Sequence, residues 1–370
     1  MRIGVNLLFL VPREGGGAET LLTNLTSALL DTERDLVVFA LRGFSAAYPD
    51  IAARAEVVEA PWSSPNQALR IPAEHTWLPV EVLRRRIDVL HHGVGTVPLV
   101  KARPTVTTVH DIQYRHYPQN FVPAKRLWLR ANLPLVMRSS EVVTVPSAFV
   151  KADLERAFGV PPERVMVVPF GSERLFGDSP AEADEVRDRY RLDRPFFLFP
   201  ARAYPHKNHH FLIRAYAPLA DEADLVLTGA SWPHDAAVAA EAERLGLQGR
   251  VRRLGLVPRG DLAGLYRAAL AFTFPSRFEG FGAPALEAMS LGCPVVASNA
   301  ASLPEVVGDA GILLDPTDED AWTKAMSQMV TRPDLRDSLA KRGRERAARF
   351  SWRRAADLQA AAYARALDRA

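Results

Sequence analysis

Two carboxylates, Glu279 and Glu287, lie eight positions apart around a glycine-rich turn in the segment 277–289, which reads RFEGFGAPALEAM. Pro284 is suited to the start of a helix, where its missing N–H would have no partner. We therefore expect Glu279 in the loop before that helix and Glu287 in its first turn. The two acids would then reach opposite ends of an extended ligand.

Glycines flank Phe281 on both sides, at Gly280 and Gly282. Backbone N–H groups at such positions can line up toward an anion, because no side chain stands in the way. A pair of glycosidase carboxylates is the rival interpretation of the two acids. A hydrolase has no diphosphate to bind, so the glycine-rich loop between the acids favours a diphosphate ligand.

Two cations lie five residues apart in the segment 201–208, ARAYPHKN, just before a predicted helix. Arg202 can bind oxygens in a bidentate manner, and Lys207 is a compact point charge. Together they suit a diphosphate and would neutralise charge on a departing nucleoside diphosphate. Basic residues that are simply solvated near a helix start are the alternative.

Histidines lie at two further places where a ligand could bind. His110 and Asp111 follow a predicted buried strand, and such strand ends face the ligand crevice of an open α/β sheet. His110 could donate a hydrogen bond to a sugar hydroxyl, with Asp111 setting its orientation; a histidine bonded to backbone is the alternative. His206, His209 and His210 have metal-like spacing, but no cysteine or helix-borne carboxylate joins them, so we expect no metal.

The segment 15–20, GGGAET, lies between the first predicted strand and a helix. Gly16 and Gly17 would let backbone amides approach an anion at the helix N-terminus. The segment lacks the G-x-G-x-x-G spacing of a dinucleotide site. A flexible turn is therefore an equal alternative.

Apolar runs of strand length alternate with amphipathic stretches of helix length, as in βαβ units. The predicted strands are 3–11, 36–41, 56–60, 88–91, 105–109 and 141–146, then 195–200, 224–228, 251–254, 271–275 and 294–297. The predicted helices are 18–30, 124–138, 209–219, 236–245, 259–269 and 284–290, with a last one beyond 350. This pattern predicts an α/β protein with two doubly wound parallel-sheet domains, 1–172 and 173–350, that bind ligands at the carboxyl ends of the strands.

The charge balance argues against nucleic acid as a partner. The 370 residues include 46 basic and 43 acidic side chains, a formal charge of +3. The single cysteine, Cys293, excludes an intrachain disulfide and fits a reducing compartment. The apolar N-terminal run is too short to span a bilayer, so we expect a cytoplasmic protein.

A weak peripheral membrane contact is one interpretation of the basic segments 84–86 and 125–138. The second also holds Trp128 and Leu129, and a basic, partly apolar face can meet a membrane that carries a lipid-linked acceptor. Such a contact would place the protein at the inner face of the membrane. A solvated helix with a buried stripe is the favoured interpretation.

These segments together resemble the large retaining family of GT-B glycosyltransferases called family 4. The matching residues are 279–282 with 286–289, 292–298 and 303–311, and the segments 16–19, 110–111, 147–159, 165–171 and 202–207 follow in the expected order. The resemblance covers nearly the whole chain. It implies two Rossmann-like domains that face each other across a cleft, with the last helix, 351–370, crossing back to the N-terminal domain.

The resemblance also implies roles for residues of the C-terminal domain. Glu279 would contact hydroxyls of the transferred sugar, and the turn from Gly280 to Gly282 would line the sugar and the diphosphate. Glu287 would hold the ribose. The loop containing Val257 would lie against the base.

The remaining implied roles concern the diphosphate and the N-terminal domain. Arg202 and Lys207 would bind the diphosphate as the leaving group. His110, next to Asp111, would face the donor sugar, while Gly16 or Gly17 would let the domain close over the diphosphate. Two departures stand out: His206 precedes Lys207 where the family often has Arg, and Ala283 replaces the usual Leu. The first leaves open which cation contacts which phosphate.

The expected reaction is transfer of a hexosyl unit from a UDP- or GDP-linked sugar to a hydroxyl acceptor, such as a glycan, a lipid-linked sugar or a small metabolite. The resemblance implies front-face departure of the diphosphate and a retained anomeric configuration. It implies no metal or other cofactor, because the cations supply the positive charge. A sugar-nucleotide epimerase of GT-B fold and a catalytically silent sugar-nucleotide-binding protein are the alternatives.

Overall fold

A computed structural model describes residues 1–12, 17–63, 67–94, 101–173, 176, 181–231 and 233–370. Gly16 lies outside these ranges. The chain forms two units: one comprises Met1–Gly171 together with Ser351–Ala370, and the other comprises Ser172–Phe350. We call them the first and the second unit.

Each unit contains one parallel sheet. The strands of the first are β1 (Arg2–Asn6), β2 (Asp35–Ala40), β3 (Glu56–Glu59), β4 (Val89–His92), β5 (Thr105–Thr108), β6 (Val142–Val145) and β7 (Val165–Val167). Those of the second are β8 (Phe196–Pro200), β9 (Asp224–Thr228), β10 (Val251–Gly255), β11 (Ala271–Phe274), β12 (Val295–Ser298) and β13 (Ile312–Leu314). The strand orders are β3-β2-β1-β4-β5-β6-β7 and β10-β9-β8-β11-β12-β13, so each is a doubly wound, Rossmann-like sheet.

Helices connect the strands. They are α1 (Gly17–Leu30), α2 (Phe44–Ala47), α3 (Pro49–Ala52), α4 (Gln67–His75), α5 (Trp77–Arg84), α6 (Gln113–His116), α7 (Pro123–Ser139), α8 (Ala148–Phe158), α9 (Ala183–Tyr190), α10 (His209–Tyr216), α11 (Asp235–Arg244), α12 (Arg259–Ala268), α13 (Ala283–Ser290), α14 (Leu303–Val307), α15 (Glu319–Thr331), α16 (Pro333–Ala347) and α17 (Trp352–Asp368). The two-unit α/β architecture predicted from the alternating pattern is therefore confirmed.

The central strands are buried along their whole length because helices cover both faces of a parallel sheet. Every residue of β4, β5, β6, β11 and β12 is buried. The core of the second unit is aromatic where β8 meets β11, with Phe197 opposite Ala271 and Phe272 beside Leu198. The rings of Phe199 and Phe274 lie 6.2 Å apart at the carboxyl ends of these strands. The loops that follow therefore start from a rigid platform.

The predicted first strand, 3–11, is too long. β1 ends at Asn6, whose side-chain Oδ1 accepts a hydrogen bond from the N–H of Leu8 at 3.1 Å. This bond turns the chain, and the N–H of Leu10 then binds the carbonyl of Leu7. Leu7, Leu8 and Leu10 remain buried in the turn, so the apolar run outlasts the strand.

Helix α17 belongs to the first unit although it ends the chain. Its buried side is mostly alanine, which lets it lie close to α1 and the sheet. At its start, a Cβ on Gly171 would come within 2.4 Å of the backbone nitrogen of Trp352, so only glycine fits there. The rings of Phe170 and Trp352 stack 6.4 Å apart.

A buried chain of hydrogen bonds also fixes α17 to the sheet. The Tyr363 hydroxyl lies 2.9 Å from Nδ1 of His91, and Nε2 of His91 lies 2.8 Å from Oγ1 of Thr108. Oγ1 of Thr108 lies 2.8 Å from Oγ1 of Thr144. The chain runs across β4, β5 and β6. Burial lowers the pKa of His91 to about 3, so its ring is a neutral imidazole with one donor and one acceptor nitrogen.

We expect Tyr363→Phe to destabilise the protein by about 1–3 kcal/mol, because Nδ1 of His91 stays buried after its hydrogen-bond partner is lost. Arg353→Ala is the control on the same helix. Its side chain is 71% exposed, and it should change stability by less than about 0.5 kcal/mol. Urea unfolding followed by tryptophan fluorescence measures both, and equal effects would show that the hydrogen bond contributes nothing specific.

Acid should destabilise both units. Burial lowers the pKa of His91 and His92 in the first unit and of His206 in the second to about 3, and that of His209 to about 4. An unfolded histidine binds its proton near pH 6.5, so stability is full above that pH. It is lost as the pH falls toward about 4, by roughly 1.4 kcal/mol per pH unit for each histidine. Melting temperatures between these pH values measure the loss, and a flat profile would contradict it.

Candidate active site

The topological switch point of the second sheet lies between β8 and β11. The chain runs from β8 to β9 and β10 on one side, then returns to place β11 on the other side of β8. Ligands of doubly wound sheets bind outside the carboxyl ends of the strands at such a point. Arg202 and Lys207 follow β8, and the segment 277–282 follows β11. The two strongest sequence motifs therefore begin at the carboxyl ends of these two neighbouring strands.

An ion pair joins the two loops. Nζ of Lys207 lies 2.5 Å from Oε1 of Glu279, and the two side chains are only 17% and 12% exposed. The same ammonium lies 5.2 Å from the ring centroid of Phe274, at the end of β11. Partial burial strengthens the pair because little water screens it. The cation predicted to bind a diphosphate and the acid predicted to bind sugar hydroxyls are therefore direct partners.

Hydrogen bonds to backbone groups fix the loops after β8 and β11 in place. The N–H of Arg277 donates to the carbonyl of His206 at 2.8 Å, which connects the loop after β11 to the 3-10 turn Pro205–Lys207. Oγ of Ser302 donates to the carbonyl of Glu279 at 2.9 Å. Glu279 is thus fixed at its backbone by one contact and at its carboxylate by Lys207.

The glycine-rich turn has a conformation that requires glycine. Gly282 precedes α13 with φ of 95°, and a Cβ there would come within 2.6 Å of Cδ2 of Leu303. Pro284 lies in the first turn of α13, as predicted. Pro284 has no N–H, and the N–H groups of Ala285 and Leu286 donate to the carbonyl of Gly282, so the helix dipole is what favours negative charge at this end. The turn thus leads into a place where a phosphate could bind, next to Lys207.

The prediction that Glu287 lies in the first turn of α13 is wrong. The helix already begins at Ala283, so Glu287 is its fifth residue. Its side chain is 7% exposed, and Oε1 accepts a hydrogen bond from Nη2 of Arg259 at 2.9 Å. Oε2 lies 3.4 Å from the Tyr266 hydroxyl, and the guanidinium of Arg259 lies 4.9 Å from the ring of Phe176.

Sequence reasoning missed Arg259 and Tyr266. Both come from α12, and together they hold the carboxylate of Glu287 in one orientation. The only signal in the sequence was their seven-residue spacing, two turns of one helix face. Burial, with the negative charge of Glu287 second, raises the pKa of Tyr266 well above its usual value, so its hydroxyl stays a donor.

His209, just after the loop that follows β8, contacts residues at the start of that loop and in β8. Nε2 of His209 lies 3.3 Å from the carbonyl of Ala201, and its ring lies 4.6 Å from that of Phe199. Burial is the largest cause of the low pKa of both His206 and His209, and Lys207 lowers each further. Within the described ranges, no three His, Cys, Asp or Glu residues form a group suited to a metal ion.

Val257 lies in the loop after β10, at the edge of the same sheet. Its side chain is buried, whereas the neighbouring Leu256 is 77% exposed. An exposed leucine beside the carboxyl ends of the strands offers an apolar surface to a flat ring. Leu256 is therefore a better candidate than the buried Val257 to contact a base.

The first unit carries the predicted His110 and Asp111 after β5. Nε2 of His110 donates to the carbonyl of Gly93 at 3.1 Å, which is the backbone partner weighed as an alternative. Burial lowers the pKa of His110, although this hydrogen bond opposes the shift. Oδ1 of Asp111 accepts from the N–H of Gln113 at 2.8 Å, at the start of α6. Gly17 is the first residue of α1.

Asn6 and His92 form a polar pair that the sequence did not suggest. They end β1 and β4, the neighbouring strands at the switch point of the first sheet. Nδ2 of Asn6 donates to Nδ1 of His92 at 3.0 Å, and both side chains are buried. The same Nδ2 lies 3.3 Å from Oε1 of the buried Glu74 on α4. An asparagine that ends an otherwise apolar strand was the available signal.

Comparison with known proteins identifies the family. A family model described as "Glycosyl transferases group 1" matches residues 182–346, and one described as "Glycosyltransferase Family 4" matches residues 15–173. The chain is 34% identical to the O-antigen chain mannosyltransferase B of Escherichia coli over 287 residues, which cover 76% of this chain and 74% of the relative. The chain belongs to the family 4 glycosyltransferases. It is a hexosyltransferase, as its relatives are.

Other similarities agree with the family 4 assignment. The MMP alpha-(1->4)-mannosyltransferase of Mycolicibacterium hassiacum is 33% identical over 77% of this chain and 72% of its own length. Sucrose-phosphate synthase from Thermosynechococcus elongatus shares the GT-B fold, with a TM-score of 0.78, 21% identity and 98% coverage of both chains. Anabaena HepE, solved with UDP-glucose, gives a TM-score of 0.74 at 22% identity and covers 98% of this chain and 99% of its own. Among the residues that the structure describes, no helix is long and apolar enough to span a bilayer.

We expect Lys207→Met to weaken binding of a nucleoside diphosphate by about tenfold to a hundredfold, the range for a lost hydrogen bond to a charged group. Glu279→Gln should leave this binding unchanged or tighten it, because it frees Lys207 and removes a negative charge. Isothermal titration measures both, with Lys324→Met, an exposed lysine of α15, as the control. Unchanged affinity in Lys207→Met would show that Lys207 does not contact the diphosphate.

Proposed function

We propose that this glycosyltransferase moves a hexosyl unit from a UDP- or GDP-linked sugar to a hydroxyl acceptor with retention of anomeric configuration. The observation that carries the proposal is the Lys207–Glu279 pair at the switch point of the second sheet. A cation for a diphosphate and an acid for sugar hydroxyls touch each other there. In a diphosphate-linked sugar, the diphosphate and the sugar hydroxyls are likewise next to each other.

The diphosphate would lie between the cations and the turn before α13. Lys207 would exchange Glu279 for a phosphate oxygen, and the exposed Arg202 would bind from the other end of its loop. The amides near Phe281 and Gly282 would add neutral donors. These charges stabilise the diphosphate as it leaves, which is why we expect the reaction to need neither a metal nor another cofactor.

Glu279 would turn to the sugar once Lys207 engages the phosphate. Its carboxylate can then accept hydrogen bonds from two hydroxyls, while Ser302 keeps its backbone in place. Glu287, oriented by Arg259 and Tyr266, would accept hydrogen bonds from the ribose. Leu256 and Val257 would lie against the base. The transferred sugar is a hexose, and mannose is the first candidate because two of the relatives compared above are named mannosyltransferases.

In the reaction itself, the C–O bond between the anomeric carbon and the diphosphate breaks, and the acceptor oxygen bonds to that carbon from the same face. The leaving diphosphate takes the proton of the acceptor hydroxyl. In the first unit, burial lowers the pKa of His110, so its ring, held by the carbonyl of Gly93, is neutral.

The first experiment is a thermal-shift panel of UDP, GDP, ADP, dTDP and CDP, each with and without its common sugars. A ligand at a hundredfold excess over its Kd stabilises the folded state by about 2.7 kcal/mol. We expect one nucleotide to raise Tm clearly and Arg202→Ala to reduce that shift. No shift with any nucleotide would contradict the proposed donor site.

The second experiment determines the anomeric configuration of the product by NMR, with the donor that the panel identifies. Retention would support front-face attack, and inversion would refute it. Conversion of the donor in the absence of any acceptor, to an epimeric sugar nucleotide, would instead assign the epimerase reaction.

A further inference from the structure

Residues 298–303 run from the end of β12 into α14, and they contact the glycine-rich loop of the candidate active site. We call them the clamp segment. Oγ of Ser298 donates a hydrogen bond to the carbonyl of Ser276, and Oγ of Ser302 donates one to the carbonyl of Glu279 at 2.9 Å. Both serines of the clamp segment are fully buried. The clamp segment therefore holds the backbone of the loop before Glu279 and at Glu279.

The clamp segment also makes an apolar contact with this loop. Leu303 is fully buried, and its Cδ2 would lie only 2.6 Å from a Cβ on Gly282. Leu303 begins α14, and Arg346 of α16 donates to carbonyls at the end of that helix. The acceptors are the carbonyls of Glu305 at 2.5 Å and Val306 at 3.1 Å. The clamp segment is thus itself anchored through α14 to α16.

An alanine lies in the clamp segment at a backbone position that favours glycine. The N–H of Leu303 donates to the carbonyl of Ala300 at 3.1 Å, which closes a turn. Ala301, the first central residue of this turn, has φ of 52°, and Ser302, the second, has φ of −82° and ψ of −9°. These angles fit a type II′ turn, in which glycine usually takes the first central position. Ala301 is strained there because its Cβ crowds the backbone.

Strain of this kind persists where the surrounding contacts impose it, and it is concentrated at functional sites. On one side of the turn, the N–H of Asn299 donates to the carbonyl of Leu314 in β13 at 2.6 Å. On the other side, Ser302 binds the carbonyl of Glu279. The strained Ala301 is therefore held between the sheet and the candidate active site. A turn that is tied at both ends has few other conformations, so it keeps Glu279 in one place.

The two acids of the candidate site are held by different elements. The carboxylate of Glu287 is oriented by Arg259 and Tyr266, both from α12. The backbone of Glu279 is held by the clamp segment. The positions of the two acids can therefore change independently of each other.

We propose that the clamp segment determines which hexose the enzyme accepts and leaves nucleotide binding unaffected. This rests on the proposed function, in which Glu279 binds hydroxyls of the transferred sugar and Glu287 binds the ribose. Hexoses of the same size differ in the configuration of single hydroxyls, so a carboxylate fixed in one position accepts hydrogen bonds from one arrangement better than from another. Ala301 and Ser302 are positioning residues that act through Glu279.

Isothermal titration of the 370-residue protein tests the proposal without an acceptor. The probes are UDP, UDP-glucose and UDP-galactose, and GDP, GDP-mannose and GDP-glucose. For the nucleotide that binds, the ratio of the Kd values of its two sugar forms measures sugar discrimination. We expect Ala301→Gly and Ser302→Ala each to reduce this ratio about fivefold to tenfold, because Glu279 is no longer fixed at its backbone. The Kd of the bare diphosphate should stay within about twofold of the wild-type value.

Ser290→Ala is the matched control. Oγ of Ser290 donates to the carbonyl of Glu287 at 2.8 Å, so this variant removes the same kind of bond from the other acid. It should keep both the sugar discrimination and the Kd of the diphosphate.

The melting temperature separates positioning from folding. Ala301→Gly should melt at the wild-type temperature or above, because glycine relieves the strain. A merely structural turn would instead show lower Tm and weaker diphosphate binding together. Discrimination that falls while Tm is maintained can only come from a change in positioning.

Three results would overturn the proposal: equal affinity of the wild type for both sugar forms, unchanged discrimination in Ala301→Gly and Ser302→Ala, or an equal loss in Ser290→Ala. Glu279→Gln separates this proposal from the proposed function. If Glu279→Gln reduces the discrimination and the two clamp variants do not, only the role of the clamp segment fails. If Glu279→Gln leaves the discrimination unchanged, or if no probe binds, the proposed role of Glu279 fails and this proposal fails with it.

Discussion

The second unit depends on one constraint: a half-buried lysine must have an anionic partner. Lys207 lies beside the aromatic ring of Phe274 with little water around it, and Glu279 meets its charge. Removing one partner of such a pair leaves an uncompensated charge, which is strongly destabilising. A ligand that takes over Lys207 must therefore bring negative charge of its own. Under the proposed function, a diphosphate would supply that charge in place of Glu279.

The platform beneath this pair explains why it can be held in place. The loops after β8 and β11 leave neighbouring strands and are tied again by the contact between Arg277 and His206. The neutral state of His206 and His209 matters as well, because a second positive charge beside Lys207 would loosen the pair. Burial keeps both rings uncharged, so the loop has one cation in its interior and leaves Arg202 at the surface.

The sequence predicted the elements well and their partners poorly. Alternating apolar runs sufficed to predict two doubly wound sheets, because parallel strands that helices cover on both faces are rich in apolar residues. The end of β1 was misplaced because the apolar run continues into a turn set by the Asn6 side chain. The contact of Arg259 with Glu287 spans 28 residues, and no local pattern reports it. Periodicity likewise showed that α7 has an apolar stripe but did not show that Leu127 and Leu135 stay exposed.

The return of α17 to the first unit makes the second unit an insertion. Its two ends meet: the N–H of Ser172 donates to the carbonyl of Phe350 at 2.9 Å, and its hydroxyl contacts the carbonyls of Ala347 and Phe350. A segment with joined ends can fold as a closed body. During synthesis, the second unit is complete once residue 350 has left the ribosome, whereas the first unit still lacks Trp352 and Tyr363. The half made first is therefore the half that finishes last.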